Sequence, residues 1–338
     1  MRVCEIQGAF GLDRLVFTET PRDAVALGPR EVRVRVHAVS LNYRDYLTVI
    51  GQYNPKQPLP LVPCSDAAGE VTGVGAEVTA LRAGDRVASL FCQDWRAGEP
   101  TVEKLRSTLG GPRQGVLAQE IVLPDHGLVK ISDALSFEQA ATLPCAALTA
   151  WSALEQCNVR PGDTVLVQGT GGVSLFALQF ARAFGARAIV TSKSHDKLKR
   201  AVALGASEGI SYVDTPAWGK RARELTGGVG VDAIIEVGGK GTLDESLRAV
   251  RVGGTIAIIG VLGGAAAPVS LPAILMNQVR LQGVLVGHRE QMERMLRVIA
   301  QTGLEPVIDR VSPWERAAEE LAAMPRGEHF GKLVLRVA

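Results

Sequence analysis

The run Gly169-Thr170-Gly171-Gly172-Val173-Ser174 constrains this chain more than any other stretch. It follows the apolar segment Val165-Leu166-Val167 and precedes residues with helical spacing, so it reads as a tight turn between a strand and a helix. Glycines in such a turn let the backbone approach a pyrophosphate, and the helix N-terminus supplies amide hydrogens and a positive dipole end. A glycine pattern alone is weak evidence, but this one lies inside a repeating strand–helix series. Strands are predicted at 164–167, 188–191, 209–213, 231–237, 255–259 and 281–286. Helices are predicted between them at 172–184, 197–204, 218–225 and 242–250. Six strands alternating with helices specify a parallel, doubly wound α/β sheet covered on both faces. Ser174 departs from the glycine or alanine that usually allows close helix–strand packing at the third position.

With 338 residues the chain exceeds that one unit, and two domains are expected. The first 123 residues are β-rich. Val32, Val34 and Val36 alternate with Arg33, Arg35 and His37, and short β-branched runs adjoin the turn glycines Gly69, Gly73, Gly75 and Gly84. Residues 92–114 form a long polar stretch of the kind that lines pockets. A final apolar strand, 333–337, is expected to return to the first domain. The predicted division is therefore 1–123 with 288–338 as one domain and 124–287 as the dinucleotide-binding domain.

Lys and Arg number 37 against 35 for Asp and Glu, a net charge of +2. Such a balance gives no support for wrapping nucleic acid or lying on an anionic membrane. The uncharged run 252–279 is broken by five glycines and two prolines, so it reads as a buried strand and loop rather than a membrane span. Five scattered cysteines without a CxxC pair encode no disulfide framework and fit reduced thiols in the cytoplasm. No targeting segment is expected from residues 1–15, which carry Arg2, Glu5, Asp13 and Arg14.

An acid about 20 residues beyond the first glycine would grip the free ribose hydroxyls of NAD. The second strand instead ends Val190-Thr191-Ser192-Lys193, and Lys197, Lys199 and Arg200 follow. A basic field without the acid suits a 2′-phosphate, so NADPH is the expected cofactor.

Together, Gly69, the Gly84-Asp85-Arg86-Val87 turn, the Gly169–Ser174 turn and the terminal His329-Phe330-Gly331-Lys332 resemble the medium-chain dehydrogenase/reductase superfamily over nearly the whole chain. Within it the chain looks most like the zinc-free, quinone oxidoreductase-like branch. The resemblance implies a GroES-like β-rich catalytic domain, a Rossmann domain, and an active site in the cleft between them. It also implies a homodimer formed through the last Rossmann strand, 281–286. Zinc-dependent members bind the metal through two cysteines and a histidine. Those positions fall here on Asn42, Ser65 and Cys145, so no metal is expected, although a site rebuilt from Cys64, Asp66 and Cys145 stays open.

Without a metal, hydrogen-bond donors must answer the charge that develops on a substrate oxygen. By resemblance Asn42 and Tyr53 line the substrate side. Tyr43 and Tyr46 lie close by in sequence, in a segment where Asp45 is expected to organise the loop through Arg44. Lys197 and Tyr212 match contacts to the 2′-phosphate, with Ser192 and Lys193 at the strand end. Val237, Gly238, Val261 and Gly287 close the later strands on the nicotinamide side, and Lys332 is within expected reach of the cofactor phosphates. The implied activity is NADPH-dependent, zinc-independent hydride transfer to a quinone, enone or other conjugated carbonyl of a small-molecule substrate. Two alternatives stay open: an NAD(P)-dependent alcohol dehydrogenase or aldehyde reductase, with or without zinc, and a non-catalytic NADPH-binding sensor or RNA-binding partner.

Overall fold

Alternating valines at one end of the chain and strands with continuous apolar runs in its middle give two different sheets. The computed structural model describes residues 1–19, 26–266 and 268–337. The first strands are β1 (Arg2–Ile6), β2 (Leu15–Glu19), β3 (Glu31–Ser40), β4 (Asp66–Val74), β5 (Arg86–Ser89), β6 (Glu120–Pro124) and β7 (Leu128–Lys130). Then follow β8 (Thr164–Gln168), β9 (Arg187–Ser192), β10 (Glu208–Ser211), β11 (Val231–Glu236), β12 (Val250–Ile258) and β13 (Arg280–Gly283). The last two are β14 (Ile308–Pro313) and β15 (Lys332–Arg336).

The chain divides into two compact units, Met1–Leu148 with Gly287–Ala338, and Thr149–Val286. In the first, a seven-stranded sheet runs β14-β15-β3-β4-β5-β7, with β6 paired to β3. Val32, Val34 and Val36 of β3 are buried, as their alternation requires for a sheet with one face on the core. β4 lies so close to β3 that a Cβ on Gly69 would meet the Arg35 carbonyl oxygen at 2.0 Å. The returning strand β15 pairs antiparallel with β3, Leu335 opposite Val39, which makes this unit discontinuous in sequence. The division expected at residue 124 falls inside this unit rather than at its edge. β7 pairs with β5, and the helix Phe137–Ala141 packs on β3 and β4, so 124–148 belong to the first sheet.

In the second unit, six parallel strands run in the order β10-β9-β8-β11-β12-β13. The order reverses between β8 and β11, and ligands bind such sheets outside the carboxyl ends of the strands at that reversal. Strands buried on both faces need apolar residues throughout, and Leu166, Ile189, Ile210, Ile234 and Ile256 supply one core side chain from each of five strands. Trp218 and Leu247, on the helices Trp218–Glu224 and Leu243–Ala249, complete that core. β13 is shorter than the predicted 281–286: the chain leaves the sheet after Gly283, and Val286 adopts a left-handed φ of 52° that an extended strand excludes. Among the described residues no helix is long and apolar enough to cross a membrane.

Candidate active site

In the second unit the glycine turn closes β8. Gly169 takes φ 72°, and its N–H donates to the Thr191 carbonyl of β9. Gly171 caps the helix Gly172–Ala183, and no side chain satisfies that helix end. A Cβ built on Gly171 would meet nothing within 4 Å, so the turn is open where a ligand backbone or phosphate would enter. This is a cradle that fits a dinucleotide pyrophosphate. Thr170 lies within the same turn, and Gly172 and Val173 are the first two residues of the helix. Ser174 solves its own packing problem: the buried hydroxyl donates to the Gln168 carbonyl at 2.7 Å.

The expected 2′-end residues come together at the ends of β9 and β10. Ser211 is in register with Ser192, and the Tyr212 N–H donates to the Ser192 carbonyl at 3.3 Å. Ser192 Oγ accepts the Ser194 N–H, and Ser194 in turn caps the helix His195–Ala203, placing Lys197 in its first turn. Lys193 is exposed, and the Tyr212 ring is 41% exposed. An acid also stands nearby, since Asp214 pairs with His195 at 2.9 Å. On the other side of the strand reversal, Val237 and Gly238 pack against the 260–264 loop that holds Val261. The Leu262 and Gly263 N–H groups donate to the Val237 and Gly238 carbonyls at 3.2 and 2.7 Å. Gly287 falls in the first unit, where a Cβ on it would meet Gln291 Oε1 at 2.6 Å.

In the first unit the sequence-predicted Asn42 begins the helix Tyr43–Val49. Its backbone N–H donates to Asp45 Oδ2 at 2.8 Å, in a reciprocal cap. Asp45 therefore does organise this segment, chiefly through that cap, while Arg44 stands 3.8 Å away. Arg44 instead donates to the carbonyls of Leu109 and Gly111, tying the 92–114 stretch to the helix, and stacks between the Tyr53 and Phe91 rings, each 4.9 Å away. Tyr53 is 46% exposed, whereas Tyr43 and Tyr46 are packed against the core with ring centroids 5.7 Å apart.

Lys332 is redirected. Rather than reaching for phosphates, its ammonium is 4% exposed and donates to the Leu41 carbonyl and to Asn42 Oδ1, each at 2.6 Å. With Oδ1 fixed as acceptor, the amide must present Nδ2 on its other side, where it is buried and bears on the Asp66 carboxyl. Asp66 lies in the same cluster. Ser65 Oγ donates to one of its oxygens at 2.6 Å and the Cys145 N–H to the other at 3.1 Å. That N–H comes from a π-turn, Leu143–Ala147, with Pro144 as its second residue. Burial pushes the Asp66 carboxyl above its ordinary value, with Lys332 opposing, and lifts Asp45 to about 6.

The donor set does not fit zinc. Asn42 and Ser65 supply an amide and a hydroxyl where zinc takes thiolate, imidazole or carboxylate, and both Asp66 oxygens accept protein hydrogen bonds. Among the described residues no group of three or more His, Cys, Asp or Glu could hold a metal ion.

Comparison with known proteins agrees with this layout. Residues 28–133 match the alcohol dehydrogenase GroES-like domain and residues 172–301 the zinc-binding dehydrogenase domain. A zinc-type alcohol dehydrogenase-like protein of Schizosaccharomyces pombe is 41% identical over 92% of each chain. The chain belongs to the medium-chain dehydrogenase/reductase family. Another relative, a quinone oxidoreductase-like protein 2 homolog of Nematostella vectensis, is 33% identical over 82% of this chain and 72% of its own. Among solved structures, an NAD-dependent alcohol dehydrogenase superposes with a TM-score of 0.90 at 35% identity, covering both chains fully. A mycobacterial family member complexed with NADPH superposes at 0.83 with 27% identity, again over both full chains. Oxidoreductases of this medium-chain family bind nicotinamide cofactors, and this chain is one of them.

Sequence reasoning missed Gln168 and Glu236. The available signal was an amide and an acid, each ending a central strand directly after an apolar run, Val165-Leu166-Val167 and Ala233-Ile234-Ile235.

Proposed function

We propose that this oxidoreductase is NADPH-dependent and zinc-independent, and reduces a quinone, enone or other conjugated carbonyl. One observation carries the reading. At the three positions where zinc-dependent members of the family place metal ligands stand Asn42, Ser65 and Cys145, with the Asn42 amide clamped by a buried ammonium. A reduced nicotinamide supplies the hydride when bound. The protein's part is to receive the charge that arrives on the substrate oxygen. Asn42, whose amide is oriented by Lys332 and bears on the Asp66 carboxyl, is the donor for that oxygen in this reading. Tyr53, half-exposed on the Arg44 guanidinium, is the proton source in this reading, while Tyr43 and Tyr46 serve packing.

A conjugated acceptor spreads the arriving charge, so one or two donors suffice. An unactivated alcohol needs a Lewis acid or a strong general base to take its proton. NADPH preference rests on the absence of an acid at the end of β9 and on Ser192, Lys193, Lys197 and Tyr212 gathered there. A second reading, an NAD-dependent alcohol dehydrogenase, is favoured by the 35%-identical structure of that description.

One panel decides between them: quinones, enones, aldehydes and alcohols with NADPH and NADH, on protein of measured zinc content. Rapid reduction of conjugated acceptors by zinc-free protein is the expected result. Alcohol oxidation that requires one zinc per chain would overturn it.

A further inference from the structure

Gln168 ends β8 and Glu236 ends β11, the two strands between which the sheet order reverses. Their side chains meet across that reversal, Gln168 Nε2 donating to Glu236 Oε2 at 2.7 Å. Glu236 is 0% exposed, and among the described residues no cation pairs with it. Five donors satisfy the carboxylate instead. Gln168 Nε2 and Ser246 Oγ (2.6 Å) reach Oε2. Thr242 Oγ1 (2.6 Å), Gly238 N (2.9 Å) and Gly239 N (3.0 Å) reach Oε1. The other end of the Gln168 amide accepts the Val237 and Gly238 N–H groups at 3.2 and 3.3 Å, and its Nε2 also donates to Ser246 Oγ at 2.8 Å.

A buried charge without a counterion is costly to maintain unless its surroundings are fixed. What these surroundings fix is specific. Gln168 immediately precedes Gly169, and its carbonyl also receives Ser174 from the first turn of the following helix. Glu236 immediately precedes Val237 and holds the backbone of the 238–239 turn. The pair therefore sets the spacing between the two turns that border the strand reversal, where a dinucleotide binds in sheets of this order.

We propose that Gln168 and Glu236 form a positioning pair for the nicotinamide dinucleotide, holding the glycine turn and the 237–239 turn at the separation the ligand needs. This rests on the reading that the second unit binds such a cofactor. Neither residue is assigned a contact with it.

The network is symmetric to exchange, and that supplies the test. In Glu236→Gln, two amide NH2 groups face each other, and turning either one sets nitrogen against backbone N–H. In Gln168→Glu, two carboxylates face each other. In the double variant, Gln at 236 keeps an oxygen for Thr242, Gly238 and Gly239 and donates to the carboxylate at 168. That carboxylate accepts Val237 N, Gly238 N and Ser246 Oγ, so every group is again paired.

NADPH and NADH are titrated into wild type, both single variants and the double variant, with unfolding midpoints read on the same samples. Each single variant is expected to weaken both cofactors about tenfold or more, leaving their ratio unchanged. The double variant is expected to return to within about threefold of wild type. Wild-type affinity in the folded single variants overturns the proposal, even if their midpoints fall. So does a folded double variant that binds no better than the singles. If the single variants do not fold, Thr242→Val, which removes one donor at the edge of the network, is expected to weaken both cofactors about threefold to tenfold; unchanged binding overturns the proposal. Wild-type protein that binds neither cofactor would instead remove the cofactor reading itself, before any variant is compared.

Discussion

Gly171 has room for a methyl group and ordinary backbone angles, φ −79° and ψ −176°, so nothing in the protein itself requires glycine there. Gly171→Ala should therefore leave unfolding free energy unchanged or raise it by about 0.5 kcal/mol, while weakening cofactor binding at least tenfold by filling the open turn. Denaturant unfolding and cofactor titration on one preparation check both halves. Lys332 makes the opposite case. Removing its ammonium strands the Leu41 carbonyl and Asn42 Oδ1 in a buried site, so Lys332→Met should cost about 3 kcal/mol of stability. It should also lower turnover more than cofactor affinity, because Asn42 loses its fixed orientation. Asp45 gives a pH signature. Burial raises its carboxyl to about 6, so the folded state holds this proton more tightly than the unfolded chain does. The resulting stability is present below about pH 4 and is lost as pH rises through 6. Asp45→Asn keeps an oxygen for the Asn42 N–H, so its stability relative to wild type should rise between pH 4 and 7 by up to about 3 kcal/mol. Urea unfolding of both proteins across that range gives the difference directly. His37, lowered by burial against Phe137, acts in the opposite sense in both and cancels from the comparison.

At the scale of elements, the helix His195–Ala203 and strand β13 carry the open questions. Ser194 caps that helix and sets Lys197 beside the end of β9. Lys197→Ala should therefore weaken NADPH about tenfold and leave NADH nearly unchanged, as measured by paired titrations. Equal losses would give the lysine a structural role. β13 pairs with β12 on one side only, and its own Leu281 is 36% exposed. The helix Leu271–Asn277 leaves Leu271, Leu275 and Met276 71%, 75% and 77% exposed. An unpaired edge next to exposed apolar side chains invites a second strand.

At the scale of the whole molecule we therefore propose a homodimer formed through β13. A Leu281→Lys, Met276→Glu variant should run as a monomer in light scattering while wild type runs as a dimer. How much of this was legible without coordinates divides along physical lines. The Rossmann sheet was readable because its central strands have apolar runs, its helices are periodic, and its glycine turn is local in sequence. The bounds of β8, β9 and the helix Gly172–Ala183 fall within one residue of the pattern. The start of the second unit was not readable, because β7 and the helix Phe137–Ala141 join the first sheet through pairings with strands far away in sequence. Lys332 looked like a phosphate ligand because an isolated lysine advertises only its charge. Its burial against Asn42, 290 residues away, is decided by β15 returning beside β3. Gln168 and Glu236 were invisible for the same reason. Each is an unremarkable polar residue at a strand end, and only the reversal of strand order brings β8 against β11 and the two side chains together. Local pattern determined which elements form and what kind of ligand the turn suits; long-range pairing decided which polar groups meet, and hence the chemistry.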